Sequence, residues 1–61
     1  MTYSELKKLL KKAGCRCERE GKGHEIWINP EIGVPFPVGR HNTEEVPTGT
    51  LKNIKKAAGL E

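Results

Sequence analysis

Apolar residues recur at Tyr3, Leu6, Leu9, Leu10 and Ala13, with Lys7, Lys8, Lys11 and Lys12 between them. Steps of three and four predict an amphipathic helix over residues 3–13. Thr2-Tyr3-Ser4-Glu5 at its start has the form of a capping box. In that arrangement the Thr2 hydroxyl accepts from the Glu5 backbone N–H and the Glu5 carboxylate reaches back to Thr2. Gly14 supplies the stop, and Cys15 is placed to close a hydrophobic contact onto Leu10. The period then changes. Cys15 to Glu20 alternates small or apolar residues with charged ones, a strand pattern that points Cys15 and Cys17 inward. Gly21-Lys22-Gly23 is a connection of hairpin length. His24 to Asn29 is the best strand by composition. Its parity offers Ile26 and Ile28 to the core and leaves Trp27 on the open face, unless a bulge near His24 swaps the alternation.

Asn29-Pro30-Glu31-Ile32-Gly33 reads as a turn. In Val34-Pro35-Phe36-Pro37-Val38 the prolines occupy alternate positions, so both missing N–H groups fall on one side. That suits an edge strand and blunts the edge against further pairing. Gly39 to Val46 is a polar connection, and Thr48 or Thr50 is the expected N-cap of a second helix. Leu51, Ile54 and Ala58 form its apolar face, Gly59 its stop and Leu60 the trailing hydrophobe. The order is α-β-β-β-α. Two helices that are each apolar on one side need one sheet face to cover. The predicted fold is a two-layer α+β domain, a three-stranded antiparallel meander with both helices on one face.

Sixty-one residues make one domain, and a chain of that size buries only about 60% of its unfolded surface. With three aromatic residues, Tyr3, Trp27 and Phe36, the core is thin and no deep small-molecule pocket is expected. An enzyme of this kind would work on a polymer lying across its surface. The net charge is +3, with lysines clustered in both helical segments. These are either the solvated faces of the helices or a surface for a polyanion. Cys15 and Cys17 are too close in sequence for an unstrained bridge. Two free thiols suit a reducing, cytoplasmic setting. Neither a secretory apolar region nor a run near 18 apolar residues is present, so export and membrane insertion are not expected.

The stretch that carries candidate chemistry is Gly21-Lys22-Gly23-His24. An imidazole is the side chain that gives or takes a proton near neutral pH; here it stands at a glycine-rich turn beside a cation. The bland alternative is a surface histidine with no chemistry. His41, beside Arg40, is either a loop histidine capping backbone groups or a second acid, base or phosphate contact. Trp27 is a core residue, a stacking platform for a base, or part of a protein interface. Cys15, Cys17, His24 and His41 match none of the usual paired zinc-ligand spacings, and the acidic residues lack the clustering of a magnesium nuclease. No metal or other cofactor is expected.

A chain with this order of elements and lysine-rich helices resembles a double-stranded-RNA-binding domain, a fold that reads RNA by shape. A narrower resemblance spans essentially the whole chain. Gly14, Gly23-His24-Glu25-Ile26-Trp27, Val34 to Val38 followed by Arg40-His41, and Gly49-Thr50-Leu51-Lys52-Asn53-Ile54 ending at Ala58-Gly59-Leu60 stand in the order of HicA-type mRNA interferase toxins. The resemblance implies a double-stranded-RNA-binding-like fold, metal-independent cleavage of mRNA by one histidine, and neutralisation by a HicB-type antitoxin. The family histidine falls on His24. Lys22, with Arg19 or Arg40, is then expected to contact phosphate. His41 is a further candidate RNA contact, and Trp27 is expected to be buried against the partner. The family commonly has Gly-Ser-His where this chain has Lys22-Gly23-His24. A non-catalytic RNA-binding module with the same basic surface is the alternative.

Overall fold

The computed structural model describes residues 1–60. Helix α1 spans Tyr3–Lys12 and opens with the expected capping box: the Glu5 N–H donates to Thr2 Oγ1 at 3.3 Å and the Thr2 N–H to Glu5 Oε1 at 2.8 Å. Strand β1 is Arg16–Glu20, β2 is His24–Ile28, β3 is Phe36–Gly39, and helix α2 spans Thr48–Ala58. The two helices end alike. Cys15 N–H reaches Leu10 O at 2.9 Å and Leu60 N–H reaches Lys55 O at 2.8 Å, which satisfies carbonyls the last turn leaves open. No side chain caps α2 at its start. Its N-cap is Pro47, not Thr48 or Thr50, and the Pro47 carbonyl accepts from the Leu51 N–H at 2.8 Å.

The sheet order is β1-β2-β3, antiparallel throughout. The core comprises Leu6 and Leu10 of α1, Trp27, Phe36 and Val38 of the sheet, and Ile54 and Ala58 of α2, with Cys15 and Val46. Both helices therefore cover one face, as the pattern predicts. The parity of β2 is the opposite of the expected one. Trp27 is only 2% exposed, whereas Ile26 and Ile28 are half-buried on the other face. The reason is register. Phe36 and Val38 are the only strongly apolar residues of β3, and they pair with Trp27 and Glu25. Paired residues share a face, so burying Phe36 and Val38 carries Trp27 inward with them. The open-face position expected of Trp27 is thus overturned, and with it the ground for placing that side chain at a partner interface.

The irregularity in the sheet lies in β1, where the register shifts between Cys17 and Arg19, and not near His24. Cys15 is buried as expected, but it precedes β1. Cys17 pairs with Trp27 and so is turned to the core face, but β1 is an edge strand and Cys17 is exposed. The polar connection after β3 clasps the start of α1. Tyr3 N–H donates to Glu44 O and Ser4 N–H to Asn42 O, both at 3.0 Å, so the loop satisfies N–H groups that a helix start leaves without partners. Asn29, buried after β2, donates from Nδ2 to Ala58 O at 2.8 Å and accepts from the Glu31 N–H at 3.0 Å, tying that turn to the end of α2.

Candidate active site at the turn between β1 and β2

Gly21 closes the turn by donating its N–H to the His24 carbonyl at 2.7 Å. The His24 ring folds back over Gly21: a Cβ there would lie 3.2 Å from the His24 carbonyl oxygen and 3.6 Å from Nε2. Gly23 has φ +82°, a left-handed conformation that a side chain with a Cβ adopts only at a cost. Glycine at position 23 is therefore matched to the path of this backbone. His24 itself is exposed and opens β2.

The far end of β3 meets this turn. His24 pairs with Gly39, and the next residue, Arg40, donates from Nη2 to the Gly21 carbonyl at 2.7 Å. A guanidinium is thereby pinned beside the turn that carries the imidazole, and its other N–H groups remain to meet an anion. Arg19 is exposed on β1 and pairs with Ile26, two residues from His24 and on the same face of β2. Lys22 is exposed in the turn. His24, Lys22 and Arg40 are thus brought together around Gly21, with Arg19 on the adjoining strand. His41 is exposed and lies in the loop that clasps α1; its carbonyl accepts from the Glu44 N–H at 3.1 Å. Among the described residues its imidazole makes no hydrogen bond.

Glu25 is a participant that the linear pattern does not single out. Its carboxylate accepts from Trp27 Nε1 at 2.9 Å and lies 3.2 Å from Lys7 Nζ. Lys7 also donates to Asn42 Oδ1 at 2.6 Å. Burial raises the Glu25 pKa, but the hydrogen bonds from Trp27 and Lys7, with the positive charges of Lys7 and Arg40, outweigh it and leave the pKa lowered. The residue after the histidine is therefore an anchored anion that ties the start of β2 to α1. A sequence signal existed, since Glu25 and Trp27 share a face at a spacing of two. The partner on α1 had no such signal.

Among the described residues two ion pairs form, Lys7 with Glu25 and the N-terminal ammonium with Glu45. Among the described residues the other Lys and Arg side chains have no carboxylate in contact. Among the same residues no three His, Cys, Asp or Glu side chains come together as a metal-ion set, and no helix is long and apolar enough to cross a membrane.

The structure is thus a basic two-layer α+β domain with an exposed imidazole and a pinned guanidinium at one turn. The family model for the HicA toxin of bacterial toxin-antitoxin systems matches residues 3–60. The chain belongs to the HicA toxin family, which implies an antitoxin as partner. No curated protein and no solved structure matches it.

Proposed function

We propose that the chain is an endoribonuclease that cleaves mRNA, with His24 as the proton-transfer residue, and that a HicB-type antitoxin inhibits it in the cytoplasm by covering the His24 region. The observation that carries this reading is the convergence on Gly21: the His24 ring lies over it and Arg40 is bonded to its carbonyl. RNA brings its own nucleophile. His24 removes the proton from a 2′-hydroxyl as that oxygen attacks the adjacent phosphorus. The P–O5′ bond breaks, and the imidazolium returns the proton to the departing 5′-oxygen. The products are a 2′,3′-cyclic phosphate and a 5′-hydroxyl. A positioned histidine contributes about 10²–10⁴-fold to such a step. Arg40 and Lys22 stabilise the charge that builds on the phosphoryl oxygens, with Arg19 or His41 as further contacts. No metal or other cofactor enters the reaction.

Purified protein and its His24→Ala variant, each incubated with RNA in EDTA, test the reading. Cleavage by the parent that survives chelation, and a loss of at least about 10²-fold in the variant, are the expected results. Equal cleavage by both removes His24 from the mechanism. Retention of RNA without cleavage by either makes the chain a binding module.

A further inference from the structure

Ser4, Lys7, Lys8 and Lys11 fall at steps of three and four, so they form one stripe along α1 that borders the buried face of Leu6 and Leu10, with Lys7 nearest the sheet. With Asn42 they line a shallow polar depression. Lysines at these spacings repel one another and weaken a helix unless something offsets the charge. The folded chain offsets one of them. Lys7 is held between Glu25 and Asn42, and its side chain is 11% exposed. Lys8 and Lys11 are exposed and have no ion-pair partner among the described residues. The carboxylate within electrostatic reach of Lys8, Glu5, is engaged in the capping box with Thr2. The depression thus has a floor held by hydrogen bonds, in which Lys7 retains a third N–H beyond its two bonds, and two exposed cations at its rim.

The depression is also joined to the proposed active site. Glu25, the residue after His24 on β2, binds Lys7 in the floor of the depression. We infer that this depression is a second phosphate subsite, which takes an RNA backbone phosphate at a distance from the bond cut at His24. Lys8 and Lys11 supply the charge, and Ser4 and Asn42 supply hydrogen bonds. This rests on the ribonuclease reading above. It assigns α1 the task of holding the strand while the turn performs the reaction.

The test uses the full chain carrying His24→Ala, so that RNA stays intact, with a fluorescently labelled single-stranded RNA as probe. Anisotropy titrations at several KCl concentrations give the affinity and its salt slope. Adding Lys8→Ala and Lys11→Ala should weaken binding at low salt by at least tenfold. The slope of log K against log salt should fall by about 0.7 for each phosphate that the protein no longer neutralises. Both side chains are exposed and their repulsion is removed, so a thermal melt no lower than the parent's will confirm that the fold is intact. Binding within twofold of the parent with the same slope overturns the subsite and leaves the His24 reading standing. Absence of RNA binding by the parent itself overturns both. Equivalent losses from Lys52→Ala with Lys56→Ala on α2 would show a diffuse charge effect and overturn the specific assignment to α1.

Discussion

Lys7 on α1 and Glu25 on β2 form an ion pair at 3.2 Å with both side chains largely shielded from water. Glu25 accepts from the Trp27 indole as well, so the carboxylate links the helix layer to a core residue of the sheet. Its lowered pKa fixes the direction of the acid response. Folded protein binds a proton at Glu25 less readily than unfolded protein does. The stabilisation is fully present above the usual 4.5 and is lost as pH falls through the lower folded value. Urea unfolding between pH 7 and pH 3 should show stability dropping below about pH 4.5, with a shallower drop in Glu25→Gln. Parallel curves for the two proteins would exclude Glu25 as a source of the acid limb.

Removing the cation is a separate matter. Lys7→Met leaves Glu25 with the indole but without the ammonium, and it frees Asn42 in the loop that caps α1. A hydrogen bond to a charged group is worth about 1.5–3 kcal/mol. In a domain this small each kcal/mol moves the melting temperature by about 4–8 °C. A fall of several degrees in Lys7→Met is expected by calorimetry, while Lys12→Met, exposed at the end of α1 and in no ion pair among the described residues, should change little.

Gly39 and Tyr3 set a steric limit. A Cβ on Gly39 would stand 2.7 Å from Tyr3 Cζ, closer than side-chain atoms pack. Gly39→Ala should destabilise the fold by about 1–3 kcal/mol through overpacking. Tyr3→Ala removes the ring that a Cβ would strike. The double variant should therefore cost less than the two single changes added together, a coupling that denaturant titration measures directly.

How far the sequence determines these features depends on the range of the interaction. The capping box at Thr2 and Glu5 and the shared helix endings at Gly14 and Gly59 involve neighbours, so the linear pattern is enough to show them. The order of the strands is equally legible, because turn residues punctuate it. The face of β2 is not. Its alternation is consistent with either Ile26 and Ile28 or Trp27 inward, and the choice falls to Phe36 and Val38 on another strand. Arg40 could be named as a candidate, but its bond to the Gly21 carbonyl spans 19 residues and has no local signature. Thr48 and Thr50 are both plausible caps by residue type, yet burial of Val46 fixes where the chain enters α2, and Pro47 falls at the boundary.

Burial of Trp27 makes a spectroscopic prediction. As the single tryptophan of the chain, with 2% exposure and its N–H on Glu25, it should emit at short wavelength and resist acrylamide quenching. Red-shifted, freely quenched emission from folded protein would restore the open-face position. Trp27→Phe keeps an aromatic ring in the core but loses the hydrogen bond and some volume. A cost of about 1–3 kcal/mol is expected.

Gly23 stands where the resemblance to HicA-type toxins implies a serine, and its backbone decides whether that departure is a defect or a fit. At φ +82° the turn places this residue where only glycine is free of steric cost, and nothing lies within 4 Å of the position a Cβ would take. Space is therefore not the obstacle; backbone conformation is. Gly23→Ser should lower stability by about 1–2 kcal/mol, and Gly23→Asn should lower it less, because asparagine tolerates the left-handed region better. Urea midpoints for the three proteins should fall in the order Gly, Asn, Ser. A serine variant as stable as the parent would mean that the turn can adopt another path without loss. The serine would then be free to act beside His24, and the RNA cleavage assay could measure its contribution.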